Sequence, residues 1–65
     1  MRVEVNGEAR DLDARTLGEA LALLGYGEAR VATAVNGAFV PAAARSDRQL
    51  APGDRIEVLA PMQGG

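Results

Sequence analysis

Apolar and charged residues alternate with period two from the first residue of the chain. Met1, Val3 and Val5 fall on one face and Arg2 and Glu4 on the other, the pattern of a strand buried on one side. Asn6-Gly7 follows, the dipeptide best suited to a two-residue hairpin turn because both central positions need positive φ. Glu8 to Leu12 reads as the return strand. The period then changes. Leu17, Ala20, Leu21 and Leu24 recur at i, i+3, i+4 and i+7, which predicts a helix of about two turns with one apolar stripe. Thr16-Leu17-Gly18-Glu19 has the form of a capping box at its start, and Gly25 is placed to end it in the left-handed conformation. Gly18 costs about 1 kcal/mol against alanine inside such a helix. So short a helix does not stand alone in water, and its stripe must rest on a sheet. Arg30 to Val35 returns to period two, with Val31, Thr33 and Val35 on one face. A second Asn-Gly pair at 36–37 turns the chain into Ala38-Phe39-Val40, which Pro41 stops. Ala42 to Arg48 has no clear period and predicts irregular structure or a short helical turn. Ala51-Pro52-Gly53-Asp54 has the residues of a type II turn, and Arg55 to Ala60 alternates again with Ile56, Val58 and Ala60 on one side.

The order ββαββ(β) predicts an α+β fold: a mixed sheet of four to five strands packed on one short helix. Two parallel neighbours in such a sheet need a crossover of a dozen or more residues, and the helix supplies it. Two hairpins flanking a helix, with the last strand returning beside the first, describe a β-grasp. Residues 1–60 form that domain in this reading, and residues 61–65 form a flexible tail ending in Gly-Gly.

Composition changes the picture mainly by exclusion. The 65 residues include no cysteine and no histidine, which removes disulfides, the usual zinc sites, Cys/His nucleophile pairs and imidazole acid–base chemistry. A stand-alone enzyme is not expected, nor a bound metal. Thirteen of the apolar residues are alanine, so a chain of this size has few large side chains for its core. Seven arginines and nine carboxylates are interspersed, for a net charge of −2, and the aromatics are Tyr26 and Phe39 alone. Nucleic-acid binding would want clustered basic residues and stacking aromatics, so no nucleic-acid partner is expected. The longest apolar runs, such as Ala20 to Leu24, are far too short to span a bilayer, and the start of the chain lacks the form of a signal peptide. These features predict a cytoplasmic protein with no membrane partner.

The end Met62-Gln63-Gly64-Gly65 carries the candidate chemistry. Five residues beyond the last strand reach about 17 Å when extended. Two positions without side chains let the tip enter a narrow channel. A terminal carboxylate, with a pKa of about 3.5, is ionised at neutral pH. It is then a poor acyl donor, but its oxygen can attack a nucleoside triphosphate to form an acyl-adenylate, which is open to sulfur or nitrogen nucleophiles. In that chemistry the chain is the substrate rather than the catalyst. A frayed end accounts for two terminal glycines equally well when they are taken alone.

The whole chain resembles the small sulfur-carrier proteins of thiamine biosynthesis, the ThiS family. The residues that carry the resemblance are Val5-Asn6-Gly7, Thr16-Leu17 with Leu21 and Leu24, and Ala34-Val35-Asn36-Gly37 with Val40-Pro41. Leu50, Gly53-Asp54-Arg55-Ile56-Glu57-Val58 and the end Gln63-Gly64-Gly65 complete the set. The resemblance implies a ubiquitin-like β-grasp in which Gly65 is the site of adenylation and thiocarboxylate formation, while Gly64, Gln63 and Met62 thread into partner active sites. It implies three partners: an ATP-dependent adenylyltransferase of the ThiF type, a sulfur donor such as a cysteine desulfurase relay, and a thiazole synthase of the ThiG type. No cofactor is bound in this scheme, and ATP is used by the activating enzyme. Two features depart from the family. Pro61 is similar to the tails of the molybdopterin synthase small subunit, and Ala42 to Arg48 lacks the tryptophan often present there. A sulfur carrier for molybdopterin or another sulfur-containing metabolite remains open as an alternative, as does a ubiquitin-like protein modifier.

The alternation also nominates a partner surface. If Ile56 and Val58 face the helix, Leu59 shares the outer face with Arg55 and Glu57 beside the tail. Leu59 and Phe39 are the candidate partner contacts, against the alternatives that a single exposed apolar residue has no function and that a lone phenylalanine belongs to the core. Arg55 and Glu57 read as a solvated sheet face, Asp54 as a residue that shapes its turn, and Tyr26 as a loop anchor.

Overall fold

A computed structural model describes residues 1–27 and 30–60. The element order is β1 (Arg2–Val5), β2 (Glu8–Asp11), α1 (Leu17–Leu23), β3 (Ala32–Val35), β4 (Ala38–Val40), a 3-10 helix (Ala42–Ala44) and β5 (Arg55–Leu59). The five strands form one mixed sheet in the order β2-β1-β5-β3-β4. β1 and β5 run parallel, and the remaining pairs are antiparallel. The tail expected over residues 61–65 lies outside the described residues.

Both Asn-Gly pairs form their turns with positive φ, at 50° and 85° for Asn6-Gly7 and 52° and 84° for Asn36-Gly37. That twist matches the right-handed twist of the flanking strands and sets the register of each hairpin. The capping box of α1 is complete. Thr16 Oγ1 accepts from the Glu19 amide at 3.2 Å, and Glu19 Oε1 accepts from the amides of Thr16 and Arg15. Two further amides at this helix start are satisfied from a distance in sequence: Leu17 donates to the Arg48 carbonyl and Gly18 to the Arg45 carbonyl, at 2.8 and 3.0 Å. The segment after Pro41 therefore caps α1, which explains why a stretch without period has a fixed path. Gly25, at φ 91°, ends the helix as expected.

The core lies between α1 and one face of the sheet. Val3, Val5, Val35, Val40, Ile56 and Val58 point inward from the strands, and Leu17, Ala20 and Leu21 meet them from the helix. Among the described residues Thr33 is the one buried polar residue, 2% exposed on the same face. Its hydroxyl donates to the Val40 carbonyl at 2.9 Å and accepts from Arg45 Nε at 3.1 Å, so its burial leaves nothing unpaired.

Two expectations change. Ala60 does not continue the inward row of Ile56 and Val58. The ladder to β3 ends at Ala32 opposite Leu59, β5 stops there, and Ala60 is exposed. Val31 is likewise outside β3 and only half-buried. Among the described residues, no helix is long and apolar enough to cross a membrane.

Candidate functional site

β5 holds the residues that lead into the tail, and it is the central strand of the sheet. It pairs with β1 on one side and with β3 on the other. Each hairpin asparagine adds a second attachment. Asn6 clasps the backbone of Val58: the Val58 amide donates to Oδ1 at 2.8 Å, and Nδ2 donates to the Val58 carbonyl at 3.2 Å. Asn36 Oδ1 accepts from the Arg55 amide at 2.9 Å, while its Nδ2 donates to Asp54 Oδ1 at 3.0 Å. The carboxamide suits both places because it offers a donor and an acceptor on one rigid group. The Asn-Gly pairs by themselves predict only the turns. The signal for the clasps is asparagine, rather than aspartate, at both turns.

Asp54 shapes its turn, as expected. Its Oδ2 accepts from the Ala51 amide at 2.8 Å, the Asp54 amide donates to the Ala51 carbonyl, and Gly53 takes the positive φ of 89° that a type II turn requires. The bond from Ala51, followed by that from Asn36 and the nearby charge of Arg48, holds the Asp54 carboxyl below its ordinary value of 3.8. Tyr26 packs half-buried against the core, with its amide donating to the Leu21 carbonyl. Arg55 and Glu57 are exposed on the outer face.

The nominated contacts Leu59 and Phe39 both lie on the sheet face that α1 leaves open, each 69% exposed. Register sets them diagonally across β3: Phe39 sits opposite Ala34, Ala34 opposite Glu57, and Leu59 opposite Ala32. Phe39 is thus not a core residue. In the three-residue strand β4, Val40 takes the inward position opposite Thr33, and the alternation turns Phe39 outward. The result is a small apolar patch of Phe39, Ala34, Ala32 and Leu59 beside the charged half of the face, which holds Arg2, Glu4, Arg55 and Glu57. Met62, Gln63, Gly64 and Gly65 lie outside the described residues. Among those described, no group of carboxylates is arranged to hold a metal ion. The sequence also has no cysteine, histidine or lysine to act as a nucleophile or base.

The family model described as the ThiS family matches residues 3–65, from the first strand through the terminal glycine pair. The chain belongs to the ThiS family. It is 41% identical over 63 residues to a sulfur carrier protein ThiS of Thermus thermophilus, an alignment covering 97% of this chain and 98% of that one. A crystal structure of a thiamine biosynthesis protein (ThiS) from Geobacter metallireducens superposes with a TM-score of 0.81 at 32% identity, over the full length of both chains. The α+β fold of a five-stranded mixed sheet and one helix is therefore the ThiS β-grasp. Membership in a family of sulfur carriers also implies partner enzymes for activation and for sulfur transfer.

Proposed function

We propose that this protein is a sulfur carrier for thiamine thiazole formation, acting as a protein co-substrate and not as an enzyme. The observation that supports this most strongly is the family match extending through Gly65. Gly65 is the reacting residue in this reading. Its carboxylate oxygen attacks the α-phosphorus of ATP on a ThiF-like adenylyltransferase, pyrophosphate leaves, and an acyl-adenylate forms. The outer sulfur of a cysteine persulfide on the relay then attacks the acyl carbon and AMP leaves, giving an acyl persulfide. A second thiol attacks the cysteine sulfur of that linkage, which releases the thiocarboxylate and leaves the two thiols as a disulfide. The thiocarboxylate donates its sulfur to a ThiG-like thiazole synthase.

Each part of the chain has a task in this scheme. Gly64 and Gly65 pass a narrow channel, and Gln63 and Met62 follow them into the partner's active site. Leu59 and Phe39 dock the open sheet face against the partner, at a position where β5 is held by β1, β3, Asn6 and Asn36. A rigid root reduces the ordering cost of presenting the tip. The chain binds no cofactor of its own, and the ATP is bound by the activating enzyme.

Deleting Gly65 tests the assignment. ATP–pyrophosphate exchange by the activating enzyme should disappear while the circular dichroism spectrum and melting midpoint stay unchanged. Full exchange with the truncated chain would remove Gly65 from the mechanism.

A further inference from the structure

At the end of the sheet where β3 begins and β5 stops lies an open groove of about 530 Å³. Its lining is apolar at Val31, Ala42, Leu59 and Ala60, and carries Arg30 and Arg45 as its charged residues. This local excess of positive charge runs against the net charge of −2 of the whole chain. Among the described residues the ion pair within bonding distance is that of the Met1 amine with Asp11, so neither arginine is neutralised there by a described carboxylate. Arg45 is also pre-positioned. Its Nε donates to Thr33 Oγ1 at 3.1 Å and its Nη2 to the Val31 carbonyl, and Thr33 is itself fixed by its bond to Val40. A guanidinium has five N–H donors, so this anchoring leaves three for a ligand.

The position of the groove says when it is covered. Ala60 lines it and is the residue from which the chain continues to Gly65. Five residues span at most about 17 Å, so an enzyme working on Gly65 comes within that distance of the groove. Gly64 and Gly65 carry no side chains by which one diglycine end could be told from another. Beyond what Gln63 and Met62 offer, selection of this carrier must therefore be made at the root of the tail and on the body.

We propose that this groove is the recognition site for an acidic segment of the enzyme that activates Gly65. That segment places an apolar side chain against Val31, Ala42 and Leu59, and an adjacent carboxylate against Arg30 and Arg45. The proposal rests on the carrier reading. It adds to the open-face contacts a charge-reading site that discriminates between carriers, since charge complementarity governs encounter rate and partner choice more than raw affinity.

The test is titration of the full-length carrier against its host's adenylating enzyme, with exchange kinetics alongside. Arg30 is exposed, and its side chain makes none of the hydrogen bonds found among the described residues. Arg30→Glu should therefore fold normally, raise the Kd about tenfold or more, and leave kcat at saturating carrier unchanged. Arg45→Gln, which keeps a donor for Val31 or Thr33 but loses the charge, should raise the Kd a few-fold. Wild-type affinity should fall as salt rises from about 50 to about 500 mM, and that of Arg30→Glu should fall much less. A wild-type carrier that is adenylated, with an Arg30→Glu variant of equal affinity and equal salt dependence, overturns the groove and leaves the carrier reading intact. A loss confined to kcat also overturns it. A wild-type chain left untouched by an enzyme active on another carrier overturns both.

Discussion

Replacing Asn6 by glycine keeps the positive φ of the first hairpin and removes its clasp on Val58. Two hydrogen bonds are lost, the 2.8 Å bond from the Val58 amide and the 3.2 Å bond to the Val58 carbonyl. Bonds of this kind contribute about 0.5–1.5 kcal/mol each. The freer unfolded chain of a glycine variant adds about 0.5–1 kcal/mol of destabilisation. The sum is about 1.5–4 kcal/mol, with a central value of about 2.5. For a domain this small the total stability is on the order of 5 kcal/mol, so the loss takes a large share of it. Urea unfolding is the assay. With an m-value of about 1 kcal/mol/M, the midpoint should fall by about 2 M or somewhat more. Hydrogen exchange should localise the effect, with the Val58 amide losing more protection than the Ile56 amide. Asn6→Asp separates the two bonds, since a carboxylate accepts from the Val58 amide but faces the Val58 carbonyl without a donor. A midpoint for Asn6→Gly within about 0.3 M of wild type would refute the idea that the hairpin side chains hold β5 in place.

Further outcomes follow from the same geometry. Gly18→Ala should stabilise the protein by about 0.5–1 kcal/mol in urea unfolding. A Cβ there would lie 3.6 Å from the backbone of Arg45 and Ser46, an ordinary contact, while helix propensity improves. Asp54 has a folded-state pKa below its ordinary value of 3.8. Its contribution to stability is therefore present above that value and is lost as pH falls through the folded value. In melts between about pH 5 and pH 2, Asp54→Asn should lose less stability on acidification than wild type, and a parallel acid limb would contradict this. Leu59→Gln and Phe39→Ser alter side chains 69% exposed, so each should change stability by no more than about 0.5 kcal/mol. If these two are docking anchors, each should weaken binding to the activating enzyme by about tenfold or more, read by titration.

The parts of this fold legible in the sequence are those set by neighbours along the chain. The two Asn-Gly turns, the Thr16–Glu19 capping box, the turn at Pro52-Gly53 and the inward rows Val3/Val5 and Ile56/Val58 each need only a few consecutive residues. The parts that escaped depend on residues far apart. Asn6 and Val58 are 52 positions apart, and Arg45 reaches Thr33 across 12. No local period marks a side chain that bonds to a distant backbone. Phe39 faces outward because Val40 holds the inward place opposite Thr33, a consequence of β3–β4 register that composition does not show. The candidate site divides in the same way. Leu59 on the outer face follows from alternation, and the groove of Arg30 and Arg45 exists only after β3, β5 and the 3-10 helix meet. The role of Gly65 rests on resemblance and on the chemistry of a terminal carboxylate, not on any pattern that folds.

Thiocarboxylate formation at Gly65 is tested most directly by mass. The intact protein is incubated with ATP, its host's activating enzyme and a sulfur source, then weighed and fragmented. The expected result is a gain equal to the exchange of one oxygen for one sulfur, mapped to Gly65 and dependent on ATP. An unchanged mass, with an enzyme proven active on another carrier in the same experiment, would contradict it.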